Sequence, residues 1–144
     1  MDATPILIPL LLMFLLTLVV WLTTMGRRIR YMMEHDIDAQ EVSTPQQLQE
    51  RIPEHVHHAS NNFKNLFELP VIFYALVAIL LTTNAVDVIH LSAAWVFVIF
   101  RVVHSLVHCT FNNVNARFGA YLVSSLALWA MVLRAVFQCF EGMA

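Results

Sequence analysis

The chain has 144 residues, of which 59% are hydrophobic and 12% charged, with a formal net charge of -2. Soluble domains carry about 45–50% apolar and about 25% charged residues, so a soluble domain is excluded and one integral membrane domain over residues 1–144 is expected. The slightly acidic balance leaves no electrostatic footprint for nucleic acid.

Four apolar stretches approach the ~20 residues needed to cross ~30 Å of hydrocarbon, and each must be a helix because the bilayer satisfies no backbone polar group. The spans are predicted at about 5–25, 66–85, 88–108 and 120–140. The first carries no charge between Pro5 and Thr24. It lacks a basic leading region and is too long for a cleavable signal, so it is expected to be an anchor. A polar segment, 26–60, follows. It opens with Arg27, Arg28 and Arg30, which suit both a helix C-terminus and anionic headgroups. The acidic Glu34, Asp36, Asp38 and Glu41 come next. Thr44-Pro45-Gln46-Gln47 then reads as a capping box with proline at the first helical position.

Pro53 marks a second helix start, and from Glu54 to Thr83 only Pro70 interrupts a helical pattern. About 45 Å of helix at ~1.5 Å per residue is predicted there, kinked at Pro70 and projecting beyond the bilayer. The short Asn84–Asp87 connection makes spans two and three an antiparallel hairpin. The third connection, roughly Cys109–Ala120, contains Asn112, Asn113, Asn115 and Arg117. The fold class is therefore an all-α, up-down-up-down four-helix transmembrane bundle. Basic residues concentrate in the first and third connections, which places these in the cytoplasm and both termini on the other side. Short loops and no visible targeting extension fit a bacterial inner membrane. Cys109 and Cys139 fall at opposite ends of the bundle and are not expected to pair.

Two polar stripes stand out. Asn61, Lys64, Asn65 and Glu68 lead into span two, and Arg101, His104 and His108 lie within span three. Spacings of three and four put each set on one helix face, and ionisable groups near hydrocarbon mark a site or a buried pair. The first stripe reads either as interhelical hydrogen bonding with a snorkelling lysine or as a site for a zwitterionic ligand. In the latter, Glu68 takes an amine and Lys64 a carboxylate. Arg101 cannot lose its proton and needs a partner, for which Glu68 is the expected residue. His104 and His108 are expected to donate hydrogen bonds to an anion or to hold the bundle together. Their spacing also permits a metal, and with His55, His57 and His58 it leaves open a His-ligated oxidase, although no metal ligand set is assigned. Arg117 reads as a loop cation, and Arg134 as a snorkelling residue or a partner of Asp87 or Glu141. Trp21, Trp95 and Trp129 read as packing or interface anchors.

Taken in order, Asn65-x-x-Glu68, Arg101-x-x-His104 and Arg117 resemble the MAPEG family, the membrane-associated proteins of eicosanoid and glutathione metabolism. The resemblance covers nearly the whole chain. It implies a homotrimer in which glutathione binds between subunits near the cytoplasmic side. It further implies a glutathione-dependent transferase or peroxidase acting on a lipophilic electrophile or hydroperoxide. Arg117 stands where the thiol-activating arginine of the prostaglandin synthase branch lies. Lys64, Asn65, Glu68, Arg101, His104 and His108 match tripeptide-binding positions, with Arg30 among the basic residues that end span one. Departures are Asn61-Asn62 where Arg-Ala is usual, His108 for a common tyrosine, and Phe118 for serine. These departures support an alternative, a non-catalytic membrane scaffold or accessory subunit with the same fold.

Overall fold

A computed structural model describes residues 4–141, and within them helices account for all the regular structure. They are α1 (Leu7–Glu34), α2 (Pro45–Arg51), α3 (Glu54–Asn65), α4 (Leu69–Thr82), α5 (Val88–Cys109) and α6 (Val114–Glu141). Short 3-10 turns at Thr4–Ile6 and Ala39–Val42 precede α1 and α2. The stretches Thr4–Glu34, Glu54–Thr82, Val88–Cys109 and Val114–Glu141 are each long and apolar enough to cross a membrane. The arrangement is the expected all-helical bundle of an integral, multi-pass membrane protein.

Helix α1 runs well beyond residue 25, because nothing after Gly26 stops it. Arg27, Arg28 and Arg30 are good helix formers. The end comes where Asp36 adopts a left-handed conformation (φ 51°) and the Ile37 N–H returns to the Met32 carbonyl at 3.0 Å. Asn84 does the same for α4, with φ 54° and the Ala85 N–H on the Leu80 carbonyl at 3.0 Å. Both are Schellman closures, with Asp or Asn in the place glycine usually takes. The segment 26–60 is thus largely helical rather than an open loop. Within it the Thr44 hydroxyl accepts from the Gln47 N–H at 3.2 Å, completing the capping box that starts α2.

The second span departs from expectation at Pro70. A continuous, kinked helix gives way to two helices separated at residues 66–68. Pro70 has no N–H for the Leu66 carbonyl, and its ring collides with that carbonyl if the helix continues. The chain closes α3 with tight turns, Phe67 N–H to Lys64 carbonyl at 3.0 Å and Glu68 N–H to Asn65 carbonyl at 3.4 Å. It then restarts with Pro70 in the first turn of α4. Glu68 sits in this break (φ −99°, ψ −105°), so it does not continue the face of α3 that carries Asn61, Lys64 and Asn65.

Helices α5 and α6 pack together most extensively, and α1 lies against α3 and α5. The α4–α5 hairpin is closed by Phe73 and Phe97, whose rings stack at 4.6 Å within a core that also includes Met13, Leu128 and Met131. No more than 39% of the apolar heart of any span is buried within the chain, so most of its apolar surface is left for lipid or for another chain. One end of the bundle carries the α1 arginines and the α5–α6 connection and is called the basic end below. At the opposite end Asp87 caps α5, accepting from the His90 N–H at 2.9 Å, and also takes Arg134 at 2.8 Å and Gln138 at 3.0 Å. Cys109 and Cys139 are both free thiols.

Candidate functional site

Helix α5 turns one face inward near the basic end. Arg101, His104, Ser105 and His108, spaced by one helical turn, are all buried. Arg101 is wholly enclosed, at 0% exposure. Its guanidinium carbon lies 5.0 Å from the centre of the Tyr121 ring and 5.5 Å from that of Phe97. None of the three guanidinium nitrogens has a hydrogen-bond partner among the described residues. The expected Arg101–Glu68 ion pair is not formed. Glu68 is exposed in the α3–α4 break and forms no ion pair with Arg101. The break that Pro70 imposes is the physical reason. Two aromatic ring faces therefore surround a buried cation, an arrangement that stabilises it only in part.

His104 is tied to the next helix. Its Nδ1 lies 2.8 Å from the Arg117 carbonyl, which can only accept, so Nδ1 carries the proton. The neutral ring then offers a lone pair at Nε2, which is buried without a partner. The Nδ1 bond ties α5 to α6, and at Nε2 the neutral ring is an acceptor. The His108 ring meets His104 edge-on at 5.5 Å, and its Nδ1 is likewise buried and unpartnered.

Arg117 belongs to the first turn of α6 rather than to the preceding connection. Asn113 starts that helix by accepting the Ala116 N–H on its side chain at 2.9 Å, six residues earlier than the span boundary at 120. Asn112, in a left-handed conformation (φ 50°), accepts from the Arg117 guanidinium. Arg117 is half-buried there, beside His104 and His108.

The other candidates lie apart. Lys64 is exposed and lines a cavity of about 810 Å³ with Arg28, His57, Ser60 and Asn61, between the end of α1 and helices α2 and α3. The Asn65 amide folds back to the Asn61 carbonyl at 3.2 Å. Arg30 is exposed and paired with Glu34 at 2.7 Å, so Arg28, not Arg30, is the α1 cation that shares a cavity with Lys64. Within one chain, then, Arg101, His104, His108 and Arg117 come together, while Lys64, Glu68 and Arg30 are exposed and Asn65 is half-buried. Among the described residues no group of three or more His, Cys, Asp or Glu is placed to hold a metal.

The model of the MAPEG family matches residues 6–137. The chain belongs to the MAPEG family. That family includes glutathione transferases and related membrane proteins, and its members commonly use glutathione. No curated protein and no solved structure matches the chain. Two residues of this MAPEG chain gain importance from the structure alone. Tyr121 covers Arg101 and lies 6.0 Å from the His104 ring. Its place four residues after Arg117, on the same face of α6, is the signal that identifies it in the sequence. Asn62, not Asn61, is the buried member of its pair, and it bridges Ser105 and Cys109 at 3.4 Å each. Its place in the series Val56, Ala59 and Asn62, each three residues from the last and all buried, marks the inward face of α3.

Proposed function

We propose that the protein is a glutathione-dependent membrane transferase or peroxidase acting on a lipophilic electrophile or hydroperoxide. The observation that carries the reading is Arg101, a permanent cation buried without a hydrogen-bond partner. An uncompensated buried charge is costly and calls for an anion. Glutathione bears two carboxylates and a thiol, and the donor and acceptor set here fits such a group. Arg101 and Arg117 offer cationic donors, and His104 Nε2 offers an acceptor.

Bound glutathione would supply a nucleophilic thiolate from a thiol of pKa ~8.5. The chain's own residues would do the rest. Arg117 would favour the ionised thiol, held in position by Asn112 and through the carbonyl that anchors His104. Arg101 would take a carboxylate, its plane kept in place by Phe97 and Tyr121. Lys64, Glu68 and Arg30 are exposed and Asn65 is half-buried, which suits a homotrimer whose sites lie between subunits near the cytoplasmic face. Lipophilic substrate would then arrive laterally from the bilayer of, in this reading, a bacterial inner membrane.

The test is a split between binding and turnover. Calorimetry on detergent-purified protein should show glutathione binding that Arg101→Ala and Glu68→Gln abolish. Arg117→Ala should lower turnover of an electrophile panel about 100-fold while changing Kd by less than about threefold. Equal losses in both would remove the thiolate role from Arg117. The alternative, a non-catalytic scaffold, rests on Asn61 and Phe118, both exposed where the family has Arg and Ser. Absence of binding at millimolar glutathione would favour it.

A further inference from the structure

One face of α1 changes character along its length. Leu12, Leu16, Val19 and Thr23 line an apolar groove of about 510 Å³ against α5, and Arg27 and Arg30, continuing the same spacing, line a polar cavity of about 440 Å³ at the basic end. On α5 the groove runs from Trp95 past Val102 to Cys109, each seven residues from the last. Cys109 and Thr110 line both spaces, so the two adjoin end to end. His55 and His58 of α3 complete the polar cavity. This channel is walled by α1, α3 and α5 of a single chain, and none of Arg101, His104 or Arg117 lines it.

We propose that this channel binds one anionic phospholipid, with its phosphodiester at Arg27 and one acyl chain in the groove. Charge sets the head. Arg30 is neutralised by Glu34 at 2.7 Å, whereas Arg27 has no ion-pair or hydrogen-bond partner among the described residues. One net positive charge beside two imidazoles matches a single phosphodiester negative charge. Length sets the tail. From Trp95 to Cys109 the helix rises about 21 Å, and from Leu12 to Thr23 about 16 Å. Half of a ~30 Å hydrocarbon core is about 15 Å, one leaflet's acyl layer. The Thr23-to-Arg27 step then lifts the head to the interface, where basic residues attract anionic lipid.

Trp95 reports on the groove directly. With Trp21 and Trp129 changed to Phe, the protein is reconstituted in phosphatidylcholine vesicles. These carry a minority of phosphatidylglycerol or of phosphatidylcholine, brominated on one acyl chain in either case. Trp95 fluorescence should be quenched with an about fivefold preference for the phosphatidylglycerol, the selectivity that one arginine–lipid charge contact supplies. Arg27→Gln should erase the preference, Arg27→Lys should retain it, and Arg28→Gln, on the other cavity, should leave it unchanged. Equal quenching by the two lipids, or a preference that survives Arg27→Gln, would overturn the proposal. So would a Trp95 that neither lipid quenches, since another chain would then fill the groove.

Discussion

Arg101 concentrates the cost of the site in one side chain. Moving an ion into a low-dielectric interior costs several kcal/mol even after relaxation, and the rings of Phe97 and Tyr121 return only part of it. Replacing it with an apolar side chain of similar length should therefore relieve the ligand-free fold. Arg101→Met is expected to stabilise the apo protein by on the order of 1–4 kcal/mol, read as a higher midpoint of thermal unfolding in detergent. The same variant should lose the stabilisation that added glutathione gives the parent. A variant that melts lower than the parent without ligand would show that Arg101 has an internal role as a structural cation. Spacing within an apolar run made Arg101, His104 and His108 legible in the sequence. What spacing left open was their partners. Glu68 was the expected partner of Arg101 on a continuous helix. Tyr121 and the Arg117 carbonyl reach the site only because Asn113 starts α6 before Arg117.

Helix starts and stops were the hardest features to read at the element scale, although the four apolar runs and the Thr44 capping box were plain. Pro70 was legible as a disruption, yet whether a proline kinks a helix or restarts one depends on whether the preceding turn can tighten. Here Lys64 and Asn65 carbonyls accept the Phe67 and Glu68 N–H groups, and the chain restarts. Pro70→Ala restores the missing donor and removes the clash with the Leu66 carbonyl. Its expected outcome is slower amide hydrogen exchange across residues 66–71, as α3 and α4 fuse, together with weaker glutathione binding because Glu68 is re-aimed. Unchanged exchange would mean that side-chain packing, rather than proline, holds the break. Gly26 offers the opposite experiment. It lies inside α1 with nothing within 4 Å of an added Cβ. Gly26→Ala should stabilise α1 by about 0.5–1 kcal/mol, visible as a small rise in melting midpoint with no change in ligand binding.

Across the described residues, the interhelical ion pairs and most of the polar contacts gather at the two ends of a bundle whose middle is held by close packing and a Thr17–Tyr74 hydroxyl contact. Between helices in lipid no hydrophobic drive operates, so contacts such as Phe73 on Phe97 hold the middle by dispersion and the ends supply directional bonds. Arg134 illustrates the division. The sequence left it to snorkel or to pair with Asp87 or Glu141, and in the fold it pairs with Asp87, which locks the start of α5 to the last turns of α6. Partial burial pushes the Asp87 carboxyl up, but the His90 N–H and the Arg134 guanidinium outweigh it and hold the group below the ordinary carboxylate range. A carboxyl whose folded value is depressed stabilises the fold fully above its unfolded value of ~3.9 and loses that contribution as pH falls through the folded one. The melting midpoint should thus hold steady from neutrality down to about pH 5 and fall below about pH 4 as this lock protonates. Asp87→Asn should start lower at neutral pH and show a shallower decline on acidification, with glutathione binding at the basic end intact. A decline as steep as the parent's would place the acid sensitivity in another carboxylate. Loss of ligand binding in Asp87→Asn would show that the two ends of the bundle are coupled through α5.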